Sequence, residues 1–315
     1  MDAGSSVSEL ELTPPQRRTM ERLIAVADRR SFPSELSQRL RDRIEEAARE
    51  LDLAEPIWIG KDRLHDAERC EGLLAAQIGG ESPPFEHSPA TAAGVLLHKS
   101  VEVEVGGRED LDPHAVAALA AERLVEKESR FAEFWRQRTA IEQDEILMET
   151  VRRLSLFRAT FPPLRRLRKE LAPVSELGVR AELLGGAIVL SGRIDLVLGL
   201  PDPRDPGLAT RLAIDLKSGD ARREYPEDMR FYSLLIALRF GVPPYRAASL
   251  FLESGEWQSE EVSEEGLDHA ADRVISAARA AAAVSTGREL QLRPGGYCSW
   301  CPRAHACPAV QLQEA

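Results

Sequence analysis

The chain has 315 residues, 43% of them hydrophobic, enough to bury a substantial core; that is long for one domain and short for two large ones. Its 41 Lys and Arg against 52 Asp and Glu give a formal charge of -11, which argues against a protein that coats nucleic acid non-specifically but leaves room for a local basic groove. Met1 to Leu10 is acidic and polar rather than leader-like, and no apolar run approaches a membrane span, so a soluble, cytoplasmic protein with no membrane contact is expected.

Residues 1–50 read as two helices, the second opening at Ser31-Phe-Pro with Ser31 as its cap. Ile57-Trp-Ile reads as a short strand, Lys61 to Ala76 as a helix that contains Cys70, and Gly79 to Ala90, rich in Gly, Ser and Pro, as a loop. Thr91 to Glu104 predicts a helix entering the core, and Pro113 to Phe161 predicts several charged helices. From Gly178 the character changes. Ala187 to Leu198 and Arg211 to Lys217 alternate and are β-branched, and the Pro- and Asp-rich turn from Leu200 joins them as a hairpin. A helix over Glu227 to Phe240, strands within Ala247 to Val262 and an Ala-rich helix from Leu267 follow, and three cysteines end the chain.

Residues two apart share a strand face, so Asp215 and Lys217 look into one space, away from Leu212, Ile214 and Leu216. On the preceding strand Ile194, Leu196 and Leu198 form the expected buried set, which places Asp195 with Arg193 and Val197 on the other face. Two carboxylates and an ammonium can then converge, as phosphodiester hydrolysis requires: hard oxygen ligands hold Mg2+ or Mn2+, and a lysine orients or deprotonates the nucleophile. Lysine is scarce, confined to Lys61, Lys99, Lys127, Lys169 and Lys217, and Lys217 alone has this spacing. His98 and Glu102 lie one helical turn apart on the same face and could add a ligand.

Four cysteines in a reducing compartment point to metal rather than disulfides. Cys298, Cys301 and Cys307 can grip three corners of a 4Fe-4S cubane, with Cys70 the one remaining cysteine to take the fourth. A zinc site remains the alternative, built from Cys298, Cys301 and Cys307 with His305 or Cys70.

His98 in a helix, Gly192-Arg-Ile-Asp195, Ile214-Asp215-Leu-Lys217-Ser-Gly, and a helix carrying Tyr232 ahead of Gly241-Val-Pro-Pro together resemble the RecB-like branch of the PD-(D/E)XK nucleases, over roughly residues 56 to 315. The resemblance implies an α/β, restriction-endonuclease-like mixed sheet flanked by helices, with a helical N-terminal extension over 1–55 and a nuclease core over 56–315. It implies that His98, Asp195, Asp215 and the carbonyl of Leu216 bind Mg2+ or Mn2+, and that Lys217 is the catalytic lysine. Cysteines placed ahead of the histidine and at the C-terminus are similar to those of AddB and the CRISPR-adaptation nucleases, and imply a cluster-bearing C-terminal loop.

Two departures stand out. The family often has Gln a few residues before the tyrosine, and the stretch Asp228-Met-Arg-Phe-Tyr232 has none, which leaves Tyr232, Arg230 and Glu102 as the candidates for placing substrate. The proline that names the superfamily is Ile194. The expected activity is metal-dependent hydrolysis of DNA, on single strands or ends, in repair, recombination or defence, with a helicase or another protein of those pathways as partner. A non-catalytic DNA-binding or scaffold subunit of a helicase–nuclease assembly is the alternative, and an intact His98, Asp195, Asp215 and Lys217 weighs against it; a zinc-containing interaction module without nuclease activity is a third reading.

Overall fold

The computed structural model describes residues 10–314 apart from 52, 54, 220 and 223, so the polar stretch 1–9 lies outside the described residues. Six strands form one mixed sheet: β2 (Ile57–Ile59), β3 (Val174–Leu183), β4 (Ile188–Leu198), β6 (Leu212–Lys217), β7 (Arg246–Phe251) and β8 (Glu256–Glu261). A second, two-stranded sheet pairs β1 (Arg30–Ser31) with β5 (Leu208–Ala209). Strand β4 is the hub. Its one edge pairs antiparallel with β3 along nearly its whole length; the other takes β2, parallel, at Ile188–Leu190 and β6, antiparallel, at Leu196–Leu198.

Helices cover both faces, as expected of a restriction-endonuclease-like architecture. On one face α2 (Leu36–Ala48), α10 (Tyr225–Phe240) and α11 (Glu264–Ser285) pack a core that includes Ile194, Val197 and Ala213. On the other, α5 (Pro89–Gly106), α6 (Pro113–Lys127), α7 (Ser129–Arg136) and α8 (Ala140–Thr160) bury Leu196, Leu198, Leu212, Ile214 and Leu216. The helix starts follow their chemistry. Ser88 and Thr139 close capping boxes on α5 and α8, Asp112 caps α6, and Gly241, at φ 85°, ends α10 in the left-handed region.

Four details differ from the sequence expectation. Ser31 is not a helix cap: it pairs with Leu208 in β1, its hydroxyl donates to Asp205 at 3.0 Å, and α2 starts at Leu36. The helix expected over 61–76 is two, α3 (Lys61–Arg69) and α4 (Glu71–Ile78), because Cys70 between them is extended at φ -165°, ψ 126°. Strand β3 is an additional partner of β4, and its first half, Pro-flanked and broken by Glu176 and Gly178, gives no clean alternation. Finally, Ile194 faces the α2–α10–α11 core whereas Leu196 and Leu198 face the opposite one, so they are not a single buried set. The alternation breaks where the β3–β4 ladder skips Glu176 and Asp195, with Glu176 at φ 54°.

The N-terminal segment is bound to this framework. The Arg246 guanidinium, buried at the start of β7, donates to the carbonyls of Arg22 and Leu23 at 2.8 Å each and pairs with Asp28, and the Tyr245 hydroxyl donates to the carbonyl of Ile24.

Gly192 lets α10 approach β4. A Cβ there would stand 2.8 Å from Tyr232 Cε1 and 3.0 Å from Leu235 Cδ1. Gly192→Ala should therefore lower stability by about 1–3 kcal/mol, the usual range for overpacking, read as an earlier midpoint in urea with an unchanged slope.

Candidate active site

The β4–β6 ladder ends at Leu196–Ile214, and the two strands then part. Continued in register, Ile194 would pair with Leu216. Instead the Leu216 N–H donates to Asp195 Oδ2 at 2.6 Å, so a carboxylate takes the acceptor position of a strand. In a strand the N–H and C=O of one residue point to the same side, so the Leu216 carbonyl also faces the gap. Asp195 borders the opened space and links it to the helices that flank the sheet.

His98, from the middle of α5, reaches Asp195 from the other side, Nδ1 standing 3.3 Å from Oδ1. His98, Glu176 and Asp195 each offer a ligand atom within 4.8 Å of the others. Two carboxylates and an imidazole converging in this way suit a hard divalent cation. Asp215 and Lys217 project from the end of β6, their side chains only 5% and 11% exposed, and the Lys217 ammonium contacts the Asp215 carboxylate. The lysine also lies 3.7 Å from Asp228 Oδ2 and 3.9 Å from the centre of the Tyr225 ring.

Charge here is held in balance. Burial, then the neighbouring Asp195 charge, pushes the Asp215 carboxyl above its ordinary range, against the pull of Lys217 and Lys61. Burial also opposes ionisation of Asp195, but the hydrogen bond and charge of His98, the Leu216 N–H and Lys61 outweigh it and hold Asp195 below the ordinary value. His98 is raised: burial favours the neutral ring, and Asp195, Asp215 and Glu176 more than compensate.

Several groups here escaped the sequence reading. Glu176, rather than Glu102, is the carboxylate that joins His98. Glu102 lines the same cleft with both oxygens on Lys99 Nζ, at 2.9 and 2.7 Å. Asp228, four residues before Tyr232, is buried and takes the His65 imidazole at 2.6 Å, with Lys61 Nζ at 3.9 Å. Lys61 opens α3 and lies 5.7 Å from the ring centre of Tyr232, itself buried against Gly192. The scarcity of lysine was the signal available for Lys61; nothing in the local pattern marks Glu176. Arg230 does not reach this cluster: its guanidinium is held by Glu260 at 2.9 Å and Glu227 at 2.7 Å.

The four cysteines line a separate cavity of about 600 Å³, walled also by Leu292 and Tyr297. The kink at Cys70 brings the α3–α4 junction to the C-terminal segment, which is hydrogen-bonded there: Gln291 N donates to Glu71 Oε2 at 2.7 Å and Tyr297 Oη to the Arg69 carbonyl at 2.8 Å. Gly295 N donates to Cys298 Sγ at 3.3 Å. No three of the cysteine sulfurs lie within 4.8 Å of one another.

Because burial and Asp195 raise the Asp215 carboxyl, the folded protein binds that proton more tightly than the unfolded chain does. The associated stability is present below the usual carboxylate range and is lost as pH rises through the elevated folded value. Asp215→Asn should thus raise the melting temperature of metal-free protein at pH 7, with the gain shrinking as pH falls below the usual carboxylate range; differential scanning calorimetry at pH 7 and in acid checks it.

Among the described residues, no helix is long and apolar enough to cross a membrane. No curated protein matches the chain. Among solved structures, SSO0001 is 12% identical, with 86% of this chain and 94% of that one covered at a TM-score of 0.34. A structure described as "Putative exonuclease" from Eubacterium rectale is also 12% identical, with 91% and 94% covered at 0.43. The family model described as the PD-(D/E)XK nuclease superfamily matches residues 61–308, a span that takes in His98, Asp195, Asp215, Lys217 and all four cysteines, and the chain belongs to that superfamily.

Proposed function

We propose that this nuclease is RecB-like, hydrolyses DNA phosphodiesters with Mg2+ or Mn2+, and works as an exonuclease on single strands or ends. The observation that supports the reading is the parting of β4 and β6 beside Asp195, which takes the Leu216 N–H and meets His98, while Asp215, in contact with Lys217, lies near enough for its charge to act on His98 and for that of Asp195 to act on it. His98, Asp195, Asp215 and the Leu216 carbonyl would hold the ion. When bound, it lowers the pKa of a water and offsets charge on the phosphate. Lys217, kept in place by Asp215, Asp228 and the Tyr225 ring, directs its ammonium protons toward the attacking water or the phosphoryl oxygen. Asp195, fixed by the Leu216 N–H and His98, does not need to reorganise as charge develops.

The same reading makes residues 56–315 the nuclease core and assigns a 4Fe-4S cluster to Cys70, Cys298, Cys301 and Cys307. Support comes from all four cysteines lining one cavity, Cys70 from the α3–α4 junction and the other three from the C-terminal segment. His305 is exposed, with Nδ1 3.1 Å from the Pro302 carbonyl.

Asp215→Ala and Lys217→Ala should each slow cleavage of end-labelled DNA in Mn2+ by on the order of 10³-fold or more, with DNA binding by gel shift retained. Cleavage by both variants at the wild-type rate defeats the assignment. For the cysteines, Cys70→Ser should shed iron and acid-labile sulfide and lower stability by up to about 5 kcal/mol, by analogy with cross-linking so long a loop. Zinc without sulfide in anaerobically purified protein would overturn the cluster.

A further inference from the structure

The cleft that holds His98, Glu176 and Asp195, about 520 Å³, is bordered by Phe85, on the loop between α4 and α5. The same side chain borders a neighbouring groove of about 410 Å³ lined by His87, Arg130, Phe134 and Arg138. Phe85 is thus the ridge between the catalytic cleft and an arginine-bearing groove, and it is 53% exposed.

An aromatic series props it from behind. The Phe85 and His87 ring centres are 4.9 Å apart, edge to face; His87 meets Phe131 edge to face at 5.5 Å, and Phe131, fully buried, stacks on Trp135 at 5.5 Å. Burial pushes the His87 imidazole below its ordinary pKa, and its Nδ1 is buried without a hydrogen-bond partner, so this ring works as a neutral aromatic prop. The outer face of the ring stands free at the mouth of the polar cleft, where a flat aromatic partner can stack on it. The adjoining groove is lined by Glu86 and Glu133 as well as by its two arginines; Arg138 pairs with Glu142, while Arg130 has no carboxylate within 4.0 Å among the described residues and is the cation left to meet an anion there.

From this we infer that Phe85 is a stacking platform for an unpaired base of the substrate strand, next to the scissile phosphate, and that the strand continues into the groove where Arg130 meets a following phosphate. Bases within a duplex are already stacked and paired and present no free face. The ridge therefore favours single-stranded nucleic acid, with little sequence preference, because every base has a π face. This rests on the nuclease reading above and names the strand form that the site selects.

Binding of fluorescein-labelled oligothymidylate is measured by anisotropy on the Lys217→Ala background, so that the strand stays intact. Phe85→Ala should weaken binding roughly ten-fold, Phe85→Trp should restore it, and affinity for a blunt duplex should not change. A strand with one abasic position, moved stepwise from the end, should reproduce the loss at a single register, and at that register Phe85→Ala should add nothing further. Arg130→Gln should reduce the log–log salt slope by about 0.7, the share of one phosphate on a single strand. Unchanged affinity in Phe85→Ala, an equal loss for duplex, an additive abasic effect or an unchanged slope in Arg130→Gln would each overturn the platform as drawn. If wild type cleaves no DNA and the unsubstituted background binds none, the nuclease reading itself fails, an outcome distinct from a working nuclease indifferent to Phe85.

Discussion

The arrangement depends on one hydrogen bond, from the Leu216 N–H to the Asp195 carboxylate, across the point where β4 and β6 part. A buried strand N–H without an acceptor is costly, and a buried carboxylate without donors more so. Here each satisfies the other. The ladder can stop short without leaving backbone groups stranded, and the space it vacates holds the charged groups. On the opposite edge of β4 the ladder with β3 is interrupted at the same level, where Glu176 adopts its left-handed conformation. Asp195 therefore sits where both edges of its strand are loosened, which is why carboxylates from two flanking strands can close on it.

The charges gathered there would not assemble in isolation. Asp195, Asp215 and Asp228 are nearly or wholly out of solvent, and each is countered: Asp195 by His98, Asp215 by Lys217, Asp228 by His65 with Lys61 and Lys217 nearby. Burial and the Asp195 charge nonetheless raise the Asp215 carboxyl against the pull of Lys217 and Lys61. Stability given up at a site of this kind is ordinarily recovered in the surrounding packing. Two apolar cores, one on each face of the sheet, supply that packing.

Much of this was legible in the residues. The alternation through Arg211 to Lys217 placed Asp215 and Lys217 on one face, and the β-branched run before it paired as expected. What could not be read was set by distortion and by distance. A strand whose parity changes at Asp195 defeats a two-residue rule, so Ile194 and Leu196 were assigned to one face although they lie on opposite sides. Glu176 joins His98 through a backbone conformation that no local composition announces. Asp228 was noticed only as a missing Gln, since its partners His65 and Lys61 are more than 160 residues upstream. The kink at Cys70 was equally hidden, because Lys61 to Ala76 has no proline to stop a helix and the turn is fixed by contacts with residues near 291.

That kink makes α3 a strut of nine residues with Lys61 at one end and the cysteine cavity at the other, and the far wall of the cavity is built from the last residues of the chain. During vectorial synthesis Cys70 leaves the ribosome long before Cys307; at about 5–20 residues per second the interval is on the order of 10–50 s. His98, Asp195, Asp215 and Lys217 are all made within that interval, while the strut lacks its outer anchor. Until residues around 291–297 are made, Glu71 lacks the Gln291 N–H and the Arg69 carbonyl lacks the Tyr297 hydroxyl, so the α3–α4 kink is completed only after the catalytic residues have been synthesised.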